Sequence, residues 1–195
     1  MSNPGTSITM AALVAATRAL RELTENAGAV AGVERTIDEL ASCFARGNKV
    51  LICGNGGSLC DATHFAEELT GRFRKDRPAL AAIAISDPGH ITCAANDFGF
   101  DRVFSRGVEA LGRPGDVLIA LSTSGKSANV RLALEAARAR GMFTVALLGR
   151  DGGECAGLAD LAIVVPGSTS DRIQELHMVI LHTLVEGVES RLGYA

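Results

Sequence analysis

Four hydroxyl side chains fall within the six residues Ser122–Ser127 (STSGKS), between an apolar run and a helical pattern. Ser122, Thr123, Ser124 and Ser127 supply O–H donors, Gly125 permits a tight turn and Lys126 brings a charge. A helix that starts there also offers free N–H groups and a dipole that favours an anion. Capping that helix with Ser124 or Ser127 would need only one hydroxyl. Four point to a phosphate. The segment also fits a loose nucleotide-binding P-loop, ALSTSGKS from Ala120. However, Ala120 lies inside the apolar run, which leaves the loop too short, and no other apolar run ends directly on an acidic residue suited to magnesium. A dinucleotide fingerprint fails too, because GNGGSL carries Leu59 where GxGxxG needs its last glycine.

Proton-transfer or metal chemistry has a second set of candidates. In GNGGSLCDATHFAEELTGR (54–72), His64 and Glu68 are four apart and share one face of a helix, while Glu67 points elsewhere. Taken alone, the pair is as well explained by a solvated helix face. A further histidine, His182, stands within the apolar stretch MVILHTLV of a C-terminal helical pattern, where a buried imidazole needs a partner. Gln174 precedes it by eight residues, about 12 Å along an ideal helix and some 80° around it. Glu175, seven before, fits the face of His182 better. Helix geometry leaves the choice between Gln174 and Glu175 open.

These residues must be held by a scaffold. Five short apolar runs, 49–53, 81–85, 117–121, 143–148 and 161–165, end in GNGG, SDPG, STSG, GRDGG and PGSTS. Their lack of alternation predicts strands buried on both faces. Helical patterns at 58–72, 89–96, 102–111, 127–140 and 171–191 alternate with them. The expectation is an α/β fold, a three-layer αβα sandwich around a five-stranded parallel sheet. Ligands of such sheets sit beyond the C-terminal strand ends, where the Gly, Ser, Thr and Asp residues gather. Residues 1–46 read as a helical N-terminal extension, with a break within Asn26–Gly32, that packs on the core and at an oligomer interface. Residues 47–195 form the main unit, and the whole is expected to be one structural domain.

Bulk properties exclude several classes. The 195 residues are 47% hydrophobic and 21% charged, with a formal net charge of −3. A nucleic-acid or anionic-membrane binder would usually be basic. The five cysteines form no CxxC pair and suit a reducing compartment. No apolar run approaches the ~20 residues of a membrane span. MSNPGTSITM lacks a basic n-region, so no signal peptide is expected. The sequence reads as cytoplasmic.

GNGGSLCDATHFAEELTGRF, IAISDPGHITCAANDFGFD, GDVLIALSTSGKSANV and DRIQELHMVILH together resemble the bacterial phosphoheptose isomerases of the sugar-isomerase (SIS) domain family, from about residue 45 to 190. STSGxS alone would indicate only a sugar-phosphate-binding SIS domain. The HxxxE and QxxxxxxxH elements are more specific. The resemblance implies a flavodoxin-like SIS fold, a cytoplasmic homotetramer with active sites between subunits, and one Zn2+ per subunit. It also implies conversion of sedoheptulose 7-phosphate to D-glycero-D-manno-heptose 7-phosphate, toward the heptose of lipopolysaccharide.

Carried over by position, the metal ligands are His64, Glu68, Gln174 and His182, which selects Gln174 by analogy. Asn55, Gly56, Gly57, Asn96 and Asp97 contact substrate, with Glu68 and Gln174 also touching it. Ser122, Thr123, Ser124 and Ser127 hold the phosphate, and Arg72 and Asp171 lie near the site. Glu68 is the implied base and His182 the implied acid of an aldose–ketose isomerisation through an enediol. Leu59 and Lys126 depart from the family pattern, and Leu59, beside the glycine loop, has the bulk to narrow the pocket. Two alternatives stand beside this reading: a non-catalytic SIS-domain adaptor that binds sugar phosphates, and an isomerase for another sugar phosphate. The adaptor need not retain His64, Glu68 and His182 together.

Overall fold

The computed structural model describes residues 7–194. The first six residues of the N-terminal extension, and most of the segment bearing on a signal peptide, lie outside the described residues. The elements run α1 (Ile8–Glu25), α2 (Ala27–Ala45), β1 (Val50–Gly54), α3 (Gly57–Thr70), β2 (Ala82–Ala84), α4 (Pro88–Phe98), α5 (Val103–Leu111), β3 (Val117–Ser122), α6 (Ala128–Ala139), β4 (Phe143–Gly149), β5 (Leu161–Val165) and α7 (Ser170–Arg191). Short 3₁₀ turns at Phe100–Arg102 and Glu154–Gly157 complete the list.

All five strands are parallel, in the order β2-β1-β3-β4-β5. Successive strand residues serve opposite faces. Val50 and Ile52 of β1 and Val117 and Ile119 of β3 pack toward α2, α3 and α7. Leu51, Cys53, Leu118 and Ala120 pack toward α4, α5 and α6. Burial on both faces is the reason the runs are apolar without alternation. The strand order reverses between β1 and β3, so the chain leaves their C-terminal ends toward opposite layers and a crevice opens there.

The helix break near the N-terminus falls within the expected Asn26–Gly32, at Asn26. The Asn26 side chain accepts from Ala29 N–H and caps α2. Gly32 sits inside α2, where an added Cβ would come 2.9 Å from Ile163. That glycine lets α2 approach β5; it does not end a helix. Helix α1 buries only Ala19 and Leu23. Its Ile8, Met10, Leu13, Val14 and Leu20 are exposed, as are Val30 of α2 and Val179 of α7. Among the described residues no helix is long and apolar enough to cross a membrane.

Candidate active site

The β1/β3 crevice is lined by Asn55, Ser58, Leu121, Ser122, Thr123, Ser127, Ser170 and Gln174, around about 210 Å³. Its floor is built by the turn after β3. Gly125 has φ +63°, and a Cβ on it would lie 1.9 Å from the Gly152 carbonyl oxygen. Only glycine fits, because the two loops lie back to back. Ser122 Oγ accepts from Gly125 N–H at 3.0 Å and lies 3.4 Å from Ser127 Oγ, and Thr123 Oγ1 is 3.2 Å from Ser170 Oγ. Ser127 occupies the N-cap of α6 but makes no side-chain capping bond. Ser124 Oγ accepts from Lys126 N–H. The hydroxyls of Thr123, Ser127 and Ser170 therefore face a polar pocket beside the uncapped start of α6, the arrangement an anion requires.

Helices α3 and α7 carry the second group. They run side by side, with Gly57 against the Gln174 amide at one end: a Cβ on Gly57 would sit 2.7 Å from Gln174 Nε2. About two turns further along each helix, His64, Glu68 and His182 converge, with one ligand atom from each within 4.8 Å of the others. His64 Nε2 lies 3.2 Å and His182 Nε2 3.5 Å from Glu68 Oε1. The two imidazoles meet edge to face at 5.2 Å, and Phe73 stacks on His182. Glu68 is 8% exposed, and its Oε2 is buried with no hydrogen-bond partner. Two imidazoles and a carboxylate with an orphaned buried oxygen fit a divalent transition metal. About one turn before His64 on α3, Asp61 also has a buried unpartnered oxygen. Burial pushes its carboxyl up, opposed by the charge of His64.

Not every residue singled out joins these two groups. Gln174 donates toward Ser58 Oγ at 3.4 Å and lines the crevice, so its amide rests away from the triad. Gly56 and Gly57 are exposed at the crevice rim. Asn96 and Asp97 are exposed on α4 and hydrogen-bond to each other. Arg72 pairs with Asp76 at 2.8 Å. Asp171 lines a separate hollow between α1 and α7, and hydrogen bonds with the Thr169 side chain and Arg172 hold its carboxyl low.

One expectation is corrected, and two open positions find their places. His182 is not buried: its side chain is 40% exposed, and the buried histidine is His177. Leu59 packs toward the α4–α6 core, so it does not narrow the crevice. Lys126 turns to Asp151 at 3.3 Å instead of lining the crevice.

The sequence profile of the SIS domain family matches residues 13–149. A phosphoheptose isomerase of Fusobacterium nucleatum is 61% identical over 156 residues, 80% of each chain. The structure of phosphoheptose isomerase GmhA from Neisseria gonorrhoeae superposes with a TM-score of 0.87 at 41% identity, over 93% of this chain and 97% of that one. A phosphoheptose isomerase structure from Francisella tularensis gives 0.89 at 34% identity, over 95% and 100%. This chain belongs to the SIS-domain family of phosphoheptose isomerases.

Some residues that shape the site of this phosphoheptose isomerase family member escaped the sequence reading. Ser58 and Ser170 lie inside GNGGS and STSD, whose composition already marked the rim. Arg77 had no such signal. Its guanidinium donates to the Glu68 and Leu69 carbonyls, both at 2.6 Å, and pairs with Glu189 at 2.8 Å. It thus closes the C-terminal end of α3 about one turn beyond His64, bonding the Glu68 carbonyl and sharing the Leu69 carbonyl with Leu80 N–H.

Proposed function

We propose that this chain isomerises sedoheptulose 7-phosphate to D-glycero-D-manno-heptose 7-phosphate in the cytoplasm, supplying heptose for lipopolysaccharide or related glycans. The observation that carries the reading is the convergence of His64, Glu68 and His182 on the same helix pair whose other end meets the hydroxyl-lined crevice.

In this reading the phosphate enters the crevice, held by Ser122, Thr123, Ser124, Ser127 and the start of α6. Anchoring that end fixes the rest of a flexible chain near the triad, so binding energy is used to orient the reacting carbons. Asn55, Gly56 and Gly57 border the path between, and Asn96, Asp97, Arg72 and Asp171 remain proposed substrate-side residues. Glu68 removes the proton from C1 of the ketose as His182 protonates the C2 oxygen, which leaves an enediol. Glu68 then returns its proton to C2 while the C1 hydroxyl gives up its proton to His182, and the aldose results. Each of the two groups ends the cycle in its starting state.

His64, Glu68 and His182 fit zinc, with Gln174 as proposed fourth donor. When bound, the metal supplies Lewis-acid polarisation of the substrate oxygens. The Gln174 amide rests on Ser58, so this fourth role requires its side chain to rearrange on loading.

The proposal extends to a homotetramer with active sites between subunits. The exposed apolar face of α1 supports a self-association surface on the 1–46 extension, packed against the 47–195 isomerase unit. The test is direct. Purified protein is incubated with sedoheptulose 7-phosphate, before and after chelation, and its metal content is measured. Turnover that is lost on chelation and restored by zinc is expected. Protein that is metal-free as purified and fully active overturns the metal assignment, and no turnover under any loading overturns the activity.

A further inference from the structure

Two side-chain amides face each other across the β1/β3 crevice. Asn55, the first residue after β1, donates from Nδ2 to Asn129 Oδ1 at 2.8 Å. Asn129, in the first turn of α6, donates from its own Nδ2 to Asn55 Oδ1, also at 2.8 Å. Asn129 is 3% exposed and does not line the crevice, whereas Asn55 does. We propose that Asn129 is a positioning residue for the sugar-binding loop: through this reciprocal pair it dictates which atoms of Asn55 face the substrate.

The physical basis is the inventory of a carboxamide, which has two N–H groups and two oxygen lone pairs. Pairing with Asn129 occupies one of each. Asn55 is left with one N–H and one acceptor position, both directed away from Asn129 and available to a substrate hydroxyl. Turning either amide over would set N–H against N–H and oxygen against oxygen, so the pair locks both orientations. It also ties the loop after β1 to the helix whose start receives the phosphate, so the groups for the two ends of the substrate share one support. A lone exposed asparagine would have neither a fixed face nor a fixed rotamer, and small misplacements of a positioning group cost roughly a hundredfold in rate. The sequence offered the hint that Asn129 lies two residues after STSGKS, but nothing in the sequence pairs it with Asn55.

The inference rests on the isomerase reading above, in which Asn55 meets the sugar. Its test is a double-mutant cycle of Asn55→Ala and Asn129→Ala, read as kcat/KM for sedoheptulose 7-phosphate and as inhibition by inorganic phosphate. Each single substitution should lower kcat/KM by roughly tenfold to a hundredfold. The double variant should be no worse than Asn55→Ala within about twofold, because Asn129 acts through Asn55. Phosphate inhibition should stay within about twofold of the parent, since the hydroxyls that hold the anion are untouched. Multiplying losses in the double variant overturn the proposal, as does phosphate inhibition that weakens in parallel, the mark of a merely structural disturbance of α6. Near-parent kcat/KM for Asn129→Ala also overturns it. Should Asn129→Ala fail to fold, Asn129→Asp keeps the volume, removes one of the two bonds and enters the same cycle. A parent protein without turnover is a separate result: it overturns the isomerase reading before any variant is compared.

Discussion

His177 makes the stability of this protein depend on pH. It is fully buried on α7, and neither ring nitrogen has a hydrogen-bond partner. Burial lowers its pKa from 6.5 to about 4, opposed only by the backbone at Leu148. The folded protein therefore keeps the ring neutral, while the unfolded chain takes up a proton near pH 6.5. Stability is full above that pH and falls as pH drops from 6.5 toward 4. The gap between the two pKa values is worth about 3 kcal/mol over the whole window, and about 2 kcal/mol of it is gone by pH 5. Replacing the ring with Leu removes the titration and keeps the site apolar at a repacking cost of about 1–2 kcal/mol. The assay is urea unfolding of the parent and His177→Leu at pH 7.5, 6.5, 5.5 and 5, with chelator throughout so that metal loading does not differ between them. The parent should lose about 2 kcal/mol more than the variant between pH 7.5 and 5. Parallel curves for the two proteins would refute the reasoning, because they would place the parent's pH dependence elsewhere.

Glu68→Gln should lower turnover at least a hundredfold, the usual scale for loss of a general base, with an unchanged circular dichroism spectrum. Near-parent turnover would reject Glu68 as the base. Gly125→Ala should cost more than about 2 kcal/mol in urea unfolding, from positive φ and the clash with Gly152 together, and should weaken phosphate inhibition. Parent-like values for both would mean that the turn relaxes freely. Arg77→Ala leaves Glu189 buried without its partner and should cost about 3–5 kcal/mol. A smaller loss, measured the same way, would show that water reaches Glu189.

The sheet was legible because its strands are buried on both faces, and such runs announce themselves without any knowledge of neighbours. Helix α4 was less so. Its start at Pro88 is set by Asp87, which accepts from His90 N–H, and the expected range 89–96 began too late and ended too early. The break near the N-terminus lies in the expected stretch, but the sequence did not single out Asn26 within it. Gly32 looks like a helix breaker in sequence, yet it is where α2 meets Ile163. The two histidines of α7 illustrate the same limit. Ile173, Leu176, His177, Ile180, Leu181 and Leu184 form the buried stripe. Counting helical turns from Ile173 puts His177 on that stripe and His182 off it, so the apolar neighbours of His182 in sequence were a poor guide to its surroundings. The meeting of His182 with Glu68, and of Asn129 with Asn55, joins elements far apart in the chain, which no local spacing reports.

The two helices also act as a ruler. Gly57 and Gln174 touch at the crevice, while His64 and His182 lie seven and eight residues further along α3 and α7. At 1.5 Å per residue, the triad stands about 10–12 Å from the crevice along the helix axes. An open seven-carbon chain of bonds near 1.5 Å, with its terminal phosphate, has a length on the order of 10 Å. On the proposed reading such a sugar would span from the hydroxyls of the β3–α6 turn to the triad, whereas a five-carbon ketose phosphate would fall short by about two bonds, roughly 2.5 Å. Misplacement by even 1 Å can cost a hundredfold in rate. The shortfall should therefore appear in kcat, with KM little changed, because the proposed phosphate contacts would be the same for both sugars. Steady-state kinetics with ketose phosphates of five, six and seven carbons measures it directly. Equal kcat for the five- and seven-carbon substrates would mean that the crevice and the triad of one protomer do not hold the two ends of one sugar.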